Sequence, residues 1–260
     1  MMNNDLDKVS IIVPTYQEVQ NLPTLIRRIA DVMSPLEAPY EIVIVDDDSR
    51  DGTDKVIADL AAQDHPVRLI TRVGTRGLSS AVIAGFNQVQ GGIMVCMDAD
   101  LSHPPEAIPQ LLEQVCQPDV DFALGSRYVP GASTDESWGL FRWLNSKVAT
   151  LMAMPFTRAK DPMSGFFAIR HSIFQKAKAI DPIGYKIGLE LMVKCKCDRI
   201  REIPIHFTDR KLGQSKLTFK EQLNYLRHIK RLLDYKYGGY WQMVQFCAIG
   251  GSGMIIDLSC

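Results

Sequence analysis

The apolar run from Glu41 to Val45 stops at three consecutive aspartates, Asp46-Asp47-Asp48. A strand that is apolar along its length is covered on both faces, so charges at its end must lie outside that cover, at the edge of a sheet. The pattern recurs. Val9 to Val13 is a β-branched run ending at Pro14, and Ile93 to Met97 ends at Asp98-Ala99-Asp100. Val67 to Thr71 and Phe122 to Gly125 supply two further strands. Between them lie stretches at helical spacing. Leu22, Leu25, Ile26, Ile29 and Met33 follow Asn21 as a candidate cap, and Gly77 to Val89 and Ile108 to Val115 also read as helices. Strand and helix alternating through short connections predict an α/β fold with a mainly parallel sheet, helices on both faces, and working loops at the strands' carboxyl ends.

After residue 130 the rhythm changes. Trp138 to Met154, Gly188 to Cys197 and Thr218 to Tyr237 read as helices, and Phe166 to Arg170 and Ile203 to Phe207 as strands. The expected division is a catalytic domain over 1–237 and an apolar segment over 238–260. Within the latter, Phe246 to Leu258 is apolar apart from Ser252 and Asp257, short for a span of about 20 residues, and is expected as an apolar helix that is buried, re-entrant or a truncated transmembrane span.

Carboxylates from separate strands meeting at one edge repel unless a cation or a set of donors neutralises them. Oxygen ligands alone favour a hard ion such as Mg2+ or Mn2+. Asp51 and Thr53 also suit a turn followed by a helix cap, whereas Asp98 and Asp100 closing a buried strand are poorly explained that way. Other nucleotide-binding signatures are missing. The turn after the first strand is Pro14-Thr15-Tyr16-Gln17-Glu18 rather than a G-x-G-x-x-G, and no G-x-x-x-x-G-K-[ST] loop occurs.

Six segments in order resemble the family 2 glycosyltransferases of the GT-A fold, in the dolichyl-phosphate mannose synthase branch. They are Pro14-Thr15-Tyr16-Gln17-Glu18, Asp46 to Thr53, Asp98 to Pro105, Gly125-Ser126-Arg127-Tyr128, Asp161-Pro162-Met163-Ser164-Gly165-Phe166 and Arg210 to Lys216, and the resemblance spans about residues 9 to 237. It implies a GT-A, Rossmann-like sheet and a nucleotide-sugar donor. Pro14, Tyr16, Glu18 and Asp46 would line the nucleoside pocket. Asp98 and Asp100, with Ser102, would hold a divalent ion beneath the donor diphosphate, and Arg210 and Lys216 would clamp that diphosphate. Arg127, Arg142 and Ser146 would bind a lipid phosphate, with Asp100, Arg127 and Arg142 the residues closest to catalysis. Polymerising members of the fold carry Q-x-x-R-W; here Gly139 precedes Arg142-Trp143 where the Gln would stand, so single transfer is expected.

The implied reaction is inverting transfer of a hexose, foremost mannose from GDP-mannose, to a polyprenyl phosphate. Glucose from UDP-glucose and a saccharide hydroxyl acceptor are the alternatives. A hydroxyl must lose a proton as it attacks and needs a positioned base, whereas a phosphate monoester with a second pKa of about 6 is already ionised. The demand shifts to cations that hold two anionic reactants together.

The net charge of −1 excludes a global attraction to nucleic acid. Charge is local: from Arg210 to Lys236 eight Lys or Arg face two acids, Glu221 and Asp234. With Phe219, Leu223, Leu226, Leu232 and Leu233 on its apolar side, this amphipathic helix suits the cytoplasmic face of a membrane, and Tyr235, Tyr237, Tyr240 and Trp241 suit its interface. Met1 to Lys8 carries no apolar signal core. Six cysteines without C-x-x-C spacing point to free thiols in a reducing compartment. His103, His171, His206 and His228 lack metal-ligand spacing and read as structural.

Overall fold

A computed structural model of the chain describes residues 8–135, 140–177, 180–181, 183–184, 186–208 and 222–239, without the side chains of 140–146. The chain divides into two compact units, Met1–Lys216 and Leu217–Cys260.

The first unit is built on a seven-stranded sheet. In chain order its elements are β1 (Val9–Thr15), α1 (Leu22–Met33), β2 (Tyr40–Asp46), α2 (Thr53–Ala61), β3 (Val67–Thr71), α3 (Leu78–Phe86), β4 (Ile93–Cys96), α4 (Ile108–Val115), β5 (Phe122–Ser126), β6 (Ser133–Thr134), α5 (Leu140–Ala153), β7 (Phe167–Arg170), α6 (His171–Phe174), α7 (Ile187–Lys194), β8 (Ile200–Pro204) and β9 (His206–Phe207). The sheet order is β3-β2-β1-β4-β7-β5-β8, with β6 and β9 forming a separate two-stranded ribbon. β1 pairs in parallel with β2 on one side and β4 on the other. Only β7 runs against its neighbours β4 and β5. The chain adds β2 and β3 on one side of β1 and then crosses to the other side for β4, so the order of winding reverses at β1. That reversal opens a crevice at the carboxyl end of β1.

The period of two in the strands builds two cores. Ile11, Val13, Ile42 and Ile44 face one way and pack with α1, α2 and α4. Ile12, Val43 and Val45 face the other and pack with α3, α6 and α7. Leu22, Leu25, Ile26 and Ile29 of α1 are all fully buried, each contributing about 1.5–3 kcal/mol relative to exposure. On the opposite face α3 approaches closely at Gly85, where a Cβ would stand 2.7 Å from the Ile12 side chain. A side chain there would push α3 off the sheet.

Two local expectations need correction. β1 does not end at Pro14 but runs on to Thr15. Ile12 turns its carbonyl to Met97 on the β4 side, so Pro14 faces that side two residues later, beyond the last β4 rung at Ile12. Its missing N–H therefore costs no ladder bond. Asn21 stands at the start of α1 but makes no side-chain cap bond; its amide donates to Glu18 at 2.7 Å instead.

In the second unit residues 222–239 form one helix, α8, with Leu223, Leu226, Tyr235 and Tyr237 exposed and Lys230 paired with Asp234 one turn on. Among the described residues no helix is long and apolar enough to cross a membrane. The expected apolar helix over 246–258 lies outside the described residues.

Candidate active site

Because β1, β2 and β4 are parallel neighbours, their carboxyl ends open onto one edge, with Thr15 opposite Asp46 in the register. The loops after β1 and β2 are stitched together. Asp46 accepts the Ser49 backbone N–H at 2.8 Å and the Ser49 hydroxyl, and Ser49 Oγ in turn accepts the Gln17 N–H at 2.8 Å. Asp51 accepts the Val19 N–H and, at the start of α2, both the N–H and hydroxyl of Thr53. Asp51 and Thr53 thus act together as a turn and helix start.

Asp47 is buried and paired with Arg72 at 2.7 Å, while its other oxygen accepts the Gly77 N–H at 2.7 Å. This pair fixes the loop between β3 and α3. Arg76, carried on that loop, lies 4.5 Å over the Tyr16 ring. Tyr16 and Arg76 form a flat, cationic platform at the mouth of the crevice. Asp48 pairs with Arg50, and that hydrogen bond, with Arg76 nearby, holds its carboxyl below the usual range.

The β4 end is built differently. Asp100 is buried, and one of its oxygens accepts the N–H and hydroxyl of Ser102 at 3.1 and 2.6 Å. Ser102 therefore orients Asp100. Leu101 between them takes a left-handed φ of 63°, which closes the turn. Asp98 is partly exposed, and its backbone N–H donates to Nδ1 of His103 at 3.1 Å. That bond leaves the ring proton on Nε2. His103 stacks on Phe166 and meets Phe207 edge-on, a structural part next to the acids. Burial and the Asp98 charge push the Cys96 thiol well up, so it stays protonated.

A basic cluster follows at the end of β5. Arg127 donates from Nε and Nη2 to the two oxygens of Asp161, each at 2.8 Å, and from its backbone N–H at 3.0 Å. Burial works against the guanidinium charge, but Asp161 and the Asp98 field outweigh it and hold it ionised. Its Cζ lies 5.2 Å over the Phe207 ring. Lys147 of α5 reaches the Tyr128 ring at 4.9 Å. The loop carrying Asp161 passes the acids as well: a Cβ on Gly165 would stand 3.5 Å from Asp98 Oδ1.

Pro14, Tyr16, Glu18, Asp46, Asp98, Asp100 and Ser102 thus gather along one edge with Arg127 beside them. Glu18 faces Asn21, and Asp46 is engaged by its own turn. Arg142 and Ser146 lie on α5, with side chains outside the description, and Arg210 and Lys216 lie outside the described residues altogether. Arg72, Arg76 and Glu202 escaped sequence reasoning. Position after β3 was the available signal for the first two, since every parallel strand delivers its following loop to this edge.

The sequence profile of glycosyl transferase family 2 matches residues 10–177. The chain belongs to glycosyl transferase family 2. Within this family it is 44% identical over 254 residues to a dolichol-phosphate mannosyltransferase of Pyrococcus furiosus, covering 96% of this chain and 70% of that protein. It is 42% identical over 237 residues to the dolichol-phosphate mannosyltransferase of Saccharomyces cerevisiae, covering 88% of each. Among solved structures, glucosyl-3-phosphoglycerate synthase from Mycobacterium tuberculosis, in complex with Mn2+, UDP and glucosyl-3-phosphoglycerate, superposes with a TM-score of 0.61 at 16% identity over 88% of this chain and 80% of that one. Mannosyl-3-phosphoglycerate synthase from Rubrobacter xylanophilus gives 0.61 at 20% identity, over 88% and 74%. These neighbours share the mixed α/β, GT-A-like fold of family 2, with its mainly parallel sheet.

Proposed function

We propose that this chain transfers mannose from GDP-mannose to the phosphate of a polyprenyl lipid, with inversion at the anomeric carbon, at the cytoplasmic face of a membrane. The observation that carries this reading is the state of Asp161. A hydroxyl acceptor needs a carboxylate placed to take its proton. The buried carboxylate in the loop between α5 and β7 has both oxygens on Arg127, so it is engaged as an ion pair rather than held ready as a base. That arrangement suits an acceptor that arrives as an anion. The relatives' names point the same way.

The Tyr16 and Arg76 platform would take the nucleobase. Asp98 and Asp100, with Ser102 holding Asp100, fit a hard divalent cation. Their donors are all oxygen, and among the described residues no cluster of three His, Cys, Asp or Glu is arranged to hold a metal. A two-carboxylate site completed by substrate phosphates and water is the usual one for Mg2+, and Mn2+ accepts the same oxygen donors. When bound, such an ion would neutralise charge on the departing diphosphate. Arg127, with Lys147 and by resemblance Arg142 and Ser146, would hold the lipid phosphate. Its ionised oxygen forms the new bond to the anomeric carbon as the bond to the diphosphate breaks, the electron pair leaving with GDP. Arg210 and Lys216 would close on the diphosphate from the far side. The basic residues of 210–236 would draw the chain to an anionic leaflet, each contributing about 1 kcal/mol.

The test is a transfer assay with purified protein, Mn2+, GDP-mannose or UDP-glucose, and a short polyprenyl phosphate or the matching alcohol. Mannosyl product from the phosphate alone is expected. Turnover of the alcohol would refute the base-free mechanism, and preference for UDP-glucose would replace the donor.

A further inference from the structure

We infer that Asp161, backed by Glu202, is a positioning residue that aims the Arg127 guanidinium at the acceptor phosphate; this rests on the lipid-phosphate reading of Arg127. Asp161 is fully buried, on a loop 34 residues away in sequence from the arginine it holds. It takes three donors from Arg127: Nε at 2.8 Å, Nη2 at 2.8 Å and the backbone N–H at 3.0 Å. A planar guanidinium gripped along its Nε–Nη2 edge has no torsion left, so its Nη1 corner points away from Asp161 in a fixed direction. The backbone contact from the same residue locks the base of the side chain too.

Asp161 is itself held from behind. Glu202 of β8 accepts the Asp161 N–H on one oxygen at 3.0 Å and the Lys160 N–H on the other at 2.8 Å. Glu202 stands opposite Leu124 in the β5–β8 register, three residues before Arg127. The guanidinium is thus referred back to the strand from which it springs, through a closed path of one carboxylate on a loop and one on a strand. A closed path of this kind sets direction more than it sets fold. A long arginine on its own would lose most of its binding advantage to rotamer freedom, and a rigid one loses little.

The experiment is steady-state kinetics on the full chain with GDP-mannose and a short-chain polyprenyl phosphate, for the wild type, Asp161→Asn, Glu202→Gln, Arg127→Lys and the Asp161→Asn/Arg127→Lys pair, each with a melting temperature. Asparagine keeps the volume but offers one acceptor and turns an N–H toward Arg127. We expect Asp161→Asn to raise KM for the lipid phosphate by about tenfold or more while KM for GDP-mannose stays within about twofold. Glu202→Gln should do the same more weakly, about threefold, because one oxygen becomes a donor facing an N–H. The double variant should be no worse than Arg127→Lys alone, since the two residues act as one unit.

A merely structural role would lower the melting temperature and worsen both KM values together, with additive losses in the pair, and would overturn the proposal. If Asp161→Asn does not fold, the acceptor-to-donor KM ratio of Glu202→Gln decides by itself. An unchanged ratio there rejects the positioning role. If the wild type makes no product from polyprenyl phosphate, the lipid-phosphate reading falls. If it does and the ratios are unmoved, only the positioning falls.

Discussion

The aspartates after β2 and those after β4 end the two parallel strands that flank β1, in sequence surroundings that look alike, and the protein holds them differently. At the β2 end every carboxylate is satisfied by the protein. Asp46 closes on Ser49, Asp47 on Arg72 and Gly77, and Asp48 on Arg50. At the β4 end Ser102 sets one oxygen of Asp100, and Asp98 is partly exposed beside Gly165. Asp47, met by an arginine 25 residues on, ties the β2 end to the loop after β3, whereas Asp46, Asp48 and Asp100 each have a partner within their own turn.

The sharpest way to break that contrast is Asp100→Ala. It should cut transfer by about a thousandfold with the melting temperature within about 2 °C of wild type, read by product formation and thermal denaturation. Retained turnover would remove Asp100 from the proposed metal site. Asp47→Ala should do the reverse. It strands Arg72, whose side chain is 11% exposed, and should cost about 3 kcal/mol, or roughly 10 °C in Tm, with a smaller loss of activity per folded molecule. Arg76→Ala tests the platform on which the two loops meet. Losing the stack over Tyr16 should raise KM for the donor about threefold and leave the acceptor KM alone.

Asp48→Asn should have the smallest effect, a Tm change below about 2 °C at pH 7. Arg50 depresses the folded-state pKa of Asp48, so its contribution is present above the ordinary carboxylate pKa and is lost as pH falls through the depressed value. Melting curves of variant and wild type should therefore converge in strong acid. A gap that widens there would show that Asp48 acts through something other than this pair.

Much of this layout was legible from the residues. β3 over Val67–Thr71 and α4 over Ile108–Val115 fall where apolar periodicity puts them, and the β1, β2 and β4 ends share an edge because parallel strands must. Strand direction was not legible for β7: Phe167, Ala168 and Ile169 are apolar on both faces, and such a run looks the same read either way. The strand expected over Ile203 to Phe207 proved to be two, β8 and β9, interrupted at Ile205, which is buried and donates its N–H to Ser126. Asp161 was visible only as part of a motif, since Asp-Pro-Met-Ser-Gly reads locally as a turn and its partner is set by tertiary packing. Arg72 carries no local signal of its role for the same reason: its partner Asp47 lies 25 residues away.

The reversal of β7 has an architectural consequence. Each parallel strand delivers its exit loop to the working edge and its entry loop to the back. By running the other way between β4 and β5, β7 brings its entry loop, residues 154–166, to the front instead. The sheet thereby gains a module at the edge that no parallel arrangement of the same strands would supply. On the proposed reading, insertions there would retailor the acceptor side while the β1–β4 half, proposed to hold the donor, stays as it is.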